Sequence, residues 1–248
     1  MGANVNSRVQ VLAHRGLVSD TAPENSLKAF ADALAVGADV IETDVHCSKD
    51  GVAVIFHDDD LKRICSLDAK VSEMNWQDLK IVNLGSQQTI PSLEQALLEF
   101  PDAKFNLDIK SKGAILATAS VINKLAAQNR VLISSFSESR RKKTLSAVNG
   151  KTATSAGVSR VLAIYLSVIF RFTFLTKVLT KDLTAMQLPP SKGIINFHSP
   201  RFINAIKRFG VQIHFWTINS PEAMLMLVRD GADGIVTDHC DLAIQTLR

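Results

Sequence analysis

The feature that most constrains this chain is where its charges fall, at the ends of apolar stretches spaced along much of its length. Val9–Ala13 runs into His14-Arg15-Gly16, Val40–Ile41 into Glu42-Thr43-Asp44, Val52–Phe56 into His57-Asp58, and Phe105–Leu107 into Asp108-Ile109-Lys110. Charged side chains at the carboxyl ends of buried strands rarely serve packing. Several of them on separate strands describe a metal-assisted active site at the mouth of a (β/α) barrel.

The rest of the chain fits such a barrel. Its 248 residues are about what one α/β barrel uses, and no Pro/Gly/Ser-rich linker or short repeat divides them, so 1–248 reads as one domain. After the first strand, Leu27, Phe30, Ala33 and Leu34 mark a helical face over Ser26–Leu34, with Asn25 or Ser26 as its cap. Gly37-Ala38-Asp39 and the strand Val40–Val45 complete a right-handed βαβ unit. Lys62–Gln88 breaks the rhythm and reads as a small insertion after the third strand, spanning about residues 60–89. Ser92 and Gln95 fit a capping box, and Pro221–Arg229 is a helix closed by Gly231. Further strands are expected at Phe105–Ile109, Val131–Ser134, Val211–Thr217 and Ile235–Thr237, with Thr152–Ser155, Ala185–Leu188 and Gly193–Asn196 as candidates for the remainder. No Gly-x-Gly-x-x-Gly follows a strand, so a dinucleotide fold lacks its fingerprint. The expectation is an α/β fold, a (β/α)8 TIM barrel.

Charge and cysteine content narrow the partners. A net charge of +4 favours anionic ligands only weakly, and Arg140-Arg141-Lys142-Lys143 reads as a solvated helix face, so no nucleic-acid partner is expected. Cys47, Cys65 and Cys240 show no metal or redox spacing and read as reduced thiols of a cytoplasmic protein. Met1–Gln10 is polar and lacks an apolar signal region, so secretion is not expected. Val161–Phe170 is ten residues without a charge, too short for a span of about 20. It reads either as a buried barrel helix or as an interfacial one, giving peripheral membrane contact through 160–181 with Arg160, Arg171, Lys177 and Lys181 facing anionic headgroups.

Glu42 and Asp44 stand two apart on a strand and point to one side. Two converging carboxylates repel unless a cation sits between them, and an all-oxygen ligand set suits Mg²⁺ or Ca²⁺. Asp108 is the natural third carboxylate. His14 and His57, at separate strand ends beside Arg15 and Asp58, are the candidate proton-transfer groups. Arg15 and Lys110 could fix a phosphate. Asp58 and Asp59 are weaker candidates. Trp216 reads as a core aromatic, Asp238 equally as a helix cap or a site residue, and His46, His198, His214 and His239 as structural.

Taken in order, His14-Arg15-Gly16, Pro23-Glu24-Asn25, Glu42-Thr43-Asp44-Val45, His57-Asp58, Trp216-Thr217-Ile218-Asn219 and Asp233-Gly234-Ile235-Val236-Thr237-Asp238 resemble the glycerophosphodiester phosphodiesterase family. The resemblance implies a (β/α)8 barrel with an insertion after the third strand, metal ligation by Glu42, Asp44 and Asp108, and acid–base roles for His14 and His57. It further implies phosphate contacts from Arg15 and Lys110, Glu24 and Asn25 at the edge of the site, and Trp216 as a wall for glycerol. The substrate would be a small-molecule glycerophosphodiester, cleaved to sn-glycerol 3-phosphate and an alcohol. The family usually has Glu where this chain has Asp108, one methylene shorter, which bears on metal affinity and preference. Two other readings are a phospholipase or lysophospholipase D acting on membrane lipids, and a catalytically idle phosphate- or lipid-binding barrel.

Overall fold

Eight short parallel strands carry the architecture in the computed structural model, which describes residues 8–248. They are β1 (Gln10–His14), β2 (Val40–Cys47), β3 (Phe105–Ile109), β4 (Val131–Ser134), β5 (Ala153–Thr154), β6 (Ala185–Leu188), β7 (Gln212–Phe215) and β8 (Gly234–Thr237). The ladder runs β5-β4-β3-β2-β1-β8-β7-β6, and a parallel bridge from Ser155 to Ala185 joins its two ends into a barrel. The expected (β/α)8 TIM barrel is therefore the fold. The polar stretch Met1–Gln10 lies, up to Ser7, outside the described residues.

The strands are apolar on both faces because helices cover them outside and side chains fill them inside. Phe30, on helix Leu27–Ala35, meets Phe105 of β3 edge to face at 6.0 Å between ring centres. That helix starts at Ser26, whose hydroxyl accepts from the Ala29 amide at 3.1 Å, so Asn25 is free for another role. The Ser92–Gln95 capping box forms, and Ser220 and Gly231 bracket helix Pro221–Asp230.

The insertion begins from an arm outside the eight. Ala53–Ile55 pairs antiparallel with the far end of β2, Val45 facing Ile55 and Cys47 facing Ala53. Gly51, at φ +92°, turns the chain there, and the Ser48 hydroxyl accepts from the Val52 amide at 2.9 Å. So short a connection permits only an antiparallel partner. Val54, Phe56, Leu61, Val71, Leu79, Val82, Leu84 and Ile90 then form a second small core under the insertion. Of the three candidate strands, Thr152–Ser155 and Ala185–Leu188 enter the barrel. Gly193–Asn196 does not: Ile195–Asn196 pairs with Ser191–Lys192 in a separate hairpin.

The basic run corrects an expectation. Lys142 and Lys143 are exposed, but Arg141 is fully buried, bound to Glu138 through Nη2 at 2.6 Å and to the Thr154 hydroxyl at 3.1 Å. A carboxylate one turn earlier on the same helix makes that burial tolerable.

His214, inside the barrel, has no hydrogen-bond partner for either ring nitrogen among the described residues, and burial pushes its pKa down to about 4. The unfolded chain accepts a proton below about pH 6.5 that the folded barrel refuses, so this contribution is complete above that pH and is lost as pH falls towards 4. Urea unfolding should show a loss of about 2 kcal/mol from this group between about pH 7.5 and pH 5, removed by His214→Gln.

Candidate active site

Strand register brings the charged strand ends together. His14 of β1 lies opposite Glu42 of β2, and Asp44 lies opposite Asp108 of β3, which in turn faces Ser134 of β4. Beyond β1 the chain turns through Arg15 at φ +60° and Gly16 at φ +91°. A Cβ on Gly16 would stand 2.7 Å from the Ala29 backbone, so only glycine fits. The Arg15 amide donates to the Glu42 carbonyl, and the Asn25 amide donates to the Arg15 carbonyl, each at 2.9 Å. Asn25 is itself left-handed, and its side chain donates to Asp44 Oδ2 at 3.1 Å while accepting from the Thr43 hydroxyl at 2.7 Å.

The result is one cavity of about 540 Å³ at the carboxyl ends of the strands. His14, Arg15, Glu42, Asp44, His57, Asp108, Lys110 and Trp216 all line it. Glu24 and Asn25 stand behind that lining. Glu24 accepts from Arg15 Nη1 at 3.0 Å and from both terminal nitrogens of Arg63 at 2.7 and 2.9 Å.

Lys110 lies between two carboxylates, with Nζ 2.9 Å from Asp44 and 2.8 Å from Asp108. Burial raises the Asp44 pKa, but Lys110 and Arg15 outweigh it and hold the carboxyl below its ordinary range. At Asp108 burial wins over Lys110, and the pKa is raised. At Glu42 burial, reinforced by Asp44, outweighs His14 and Lys110 and pushes the pKa up to about 8. Three buried acceptors on this floor, Glu42 Oε2, Asn106 Oδ1 and Asp108 Oδ1, lack a hydrogen-bond partner among the described residues. Among the described residues no three His, Cys, Asp or Glu side chains already form a metal cage. The unpartnered hard oxygens nevertheless fit a divalent cation of the Ca²⁺ or Mg²⁺ kind.

Each histidine is backed by a carboxylate. His14 Nδ1 lies 2.7 Å from Asp238 Oδ1, leaving Nε2 4.0 Å from Glu42. His57 Nδ1 lies 2.6 Å from Asp58, whose other oxygen takes Arg63 Nε at 2.5 Å. Burial disfavours a proton on His14, but the Asp238 hydrogen bond and the Glu42 charge outweigh it and raise its pKa.

The sequence reading missed or left open several of these groups. Asp238 reaches the site because barrel closure sets β8 beside β1, and Asn219 holds its second oxygen at 2.7 Å. Asn106 carried a signal, since it stands two residues before Asp108 on one strand. Arg63 carried none. On the opposite wall Phe136 meets Trp216 edge to face at 5.8 Å and lies 5.6 Å from the Lys110 ammonium.

A (β/α)8 barrel with paired histidines and a carboxylate floor at its carboxyl-end mouth has the form of a barrel hydrolase. Residues 14–242 match the model of the glycerophosphoryl diester phosphodiesterase family, and the chain belongs to that family. It is 38% identical, over 93% of its length and 88% of the relative's, to a probable glycerophosphodiester phosphodiesterase 2 of Mycobacterium tuberculosis. It is 26% identical to human lysophospholipase D GDPD3, covering 94% of this chain and 83% of that one. Among solved structures, an Oleispira antarctica phosphodiesterase in complex with the product sn-glycerol-3-phosphate superposes with a TM-score of 0.79 at 27% identity, covering 96% of each chain.

Replacing Asp238 by Asn leaves the burial of His14 and removes the partner that raises its pKa. Titration of His14 followed by NMR should therefore move to lower pH in Asp238→Asn. An unchanged midpoint would contradict the role given to Asp238.

Proposed function

We propose that this enzyme hydrolyses glycerophosphodiesters to sn-glycerol 3-phosphate and an alcohol, using His14 and His57 as its proton-transfer pair. The observation that carries the reading is two carboxylate-backed histidines facing one cavity whose floor holds buried oxygens without partners.

Glu42, Asp44 and Asp108 are the residues to hold a divalent cation, Ca²⁺ or Mg²⁺, with the Asn106 carbonyl as a further oxygen beside the short Asp108. When bound, such a cation lowers the pKa of a ligated hydroxyl and offsets charge on the phosphoryl group. Arg15 and Lys110 orient the phosphate by charge-assisted hydrogen bonds, and Trp216 walls the glycerol. One histidine takes the proton of the glycerol 2-hydroxyl as its oxygen bonds to phosphorus. The other gives a proton to the alcohol oxygen as the phosphorus–oxygen bond to it breaks. Water then opens the cyclic phosphate with the two roles reversed. Asp238 and Asp58 act behind the histidines, fixing which ring nitrogen faces the substrate.

A second substrate class is favoured by the opposite wall. Phe136, Val161, Leu162, Ile195, Phe197 and Trp216 line the same cavity and suit an acyl chain, so lysophospholipids fit this reading too. The peripheral membrane contact read from residues 160–181 belongs with that class.

The test is release of sn-glycerol 3-phosphate from glycerophosphocholine and of lysophosphatidic acid from lysophosphatidylcholine, with Ca²⁺, with Mg²⁺ and with excess chelator. Metal-dependent release is expected, and His14→Ala and His57→Ala should each lower kcat by about 10²–10⁴-fold. Folded protein releasing no product from either substrate with either metal would favour the idle phosphate-binding barrel, and near-full activity in either mutant would remove that histidine from the mechanism.

A further inference from the structure

Nine of the nineteen exposed large hydrophobic side chains among the described residues fall between Val158 and Val178. They belong to two consecutive helices, Val158–Ile169 and Thr173–Thr180, and the turn between them. Val158, Leu162, Leu166 and Ile169 form a stripe along the outer side of the first helix, while Ile164 and Val168 face the barrel. The second helix is turned inside out. Its buried residues are Thr176 and Thr180, and Phe174, Leu175 and Val178 face outward, Phe174 at 81% exposure. The two helices meet through polar groups, the Ser167 and Thr176 hydroxyls lying 2.7 Å apart. In water, burying hydroxyls while exposing phenylalanine reverses the hydrophobic preference. Helices that pack through small hydroxyl residues and present apolar side chains outward suit a lipid surrounding.

The charges point the same way. No Asp or Glu occurs from Val158 to Lys181. Arg160 is held by Asp182 and Glu138 and so does not face outward as the sequence had suggested. Arg171, Lys177 and Lys181 are exposed and make no salt bridge among the described residues. A second copy seated on this face would set those cations against their own kind, whereas anionic headgroups would balance them. No helix among the described residues is long and apolar enough to cross a membrane, so the contact fits the interface and not a span.

The patch is continuous with the active-site mouth. Val158, Val161 and Leu162 also line the cavity, as do Lys192 and Ile195 across it. Between those last two, Ile194 projects from the hairpin fully exposed.

We propose that the Val158–Thr180 helix pair and the Ile194 hairpin tip form a docking surface for a bilayer containing anionic lipids, which turns the cavity mouth toward that bilayer. Phe170, Phe172, Phe174 and Ile194 enter the interface, and Arg171, Lys177 and Lys181 meet headgroup phosphates. This deepens the lysophospholipid reading of the same site, but vesicle binding is read without turnover, so its failure leaves the reaction assignment standing.

The test is flotation of the full chain with vesicles of phosphatidylcholine plus phosphatidylglycerol and with vesicles of phosphatidylcholine alone. The protein should float with the anionic vesicles, less with the neutral ones, and less as salt rises. Phe174→Asp, and separately Lys177→Glu with Lys181→Glu, should each weaken binding at least about tenfold while hydrolysis of soluble glycerophosphocholine is unchanged. Protein that stays unbound with anionic vesicles would overturn the proposal, as would variants that float like the parent. A dimer by analytical ultracentrifugation that Phe174→Asp splits into monomers would assign the face to a second copy instead.

Discussion

Parallel pairing of β1, β2 and β3 is the constraint on which the site depends. Because the His14–Glu42 and Asp44–Asp108 rungs are fixed by backbone hydrogen bonds, the charged groups are set before any side chain chooses a rotamer. A one-residue slip of β2 would turn Glu42 and Asp44 out of the barrel together. The apolar side chains that drive strand association thus also enforce a like-charge cluster that would not assemble in water. Lys110, Arg15 and the Asn25 amide offset part of that repulsion at Asp44. The remainder falls on Glu42 and on the unpartnered oxygens beside it, and makes the floor receptive to a cation.

The insertion gains meaning from this electrostatics. Arg63 leaves a helical turn of the insertion and ties Asp58, which orients His57, to Glu24, which anchors Arg15. One guanidinium thereby links the supports of His57 and Arg15. With His14 and His57 as the proposed proton-transfer groups, a charged network of this kind would preorganise them, leaving less reorganisation for the reaction itself.

The cavity and its rim divide by chemistry. Carboxylates, cations and histidines occupy the β1–β3 side, while Phe136, Phe197 and Trp216 occupy the other, where the Val158–Thr180 pair begins. On the lysophospholipid reading, the charged side takes the phosphodiester and the apolar side takes the acyl chain carried by the glycerol. On this view the inside-out helices are a local sacrifice of solubility that brings the apolar side of the cavity to a lipid surface.

Much of this was legible in the sequence, where short-range rules apply. Glu42 and Asp44 share a side because strands alternate, and Ser92, Pro221 and Gly231 mark helix ends through local backbone chemistry. What escaped was set by distant partners. Val52–Phe56 looks like any apolar strand, and only the brevity of the preceding turn signals its antiparallel pairing. The burial of Arg141 depends on Glu138 together with Thr154 of β5, and the pairing of Asp238 with His14 depends on barrel closure across 224 positions. The reversal of Thr173–Thr180 is invisible to a count of apolar residues, because only packing decides which side faces out. The most direct test of the central claim is a crystal of the protein soaked in Mn²⁺, read by anomalous scattering. A peak bounded by Glu42, Asp44 and Asp108, and lost in Glu42→Gln, is the predicted result; no peak there at saturating metal would contradict the account.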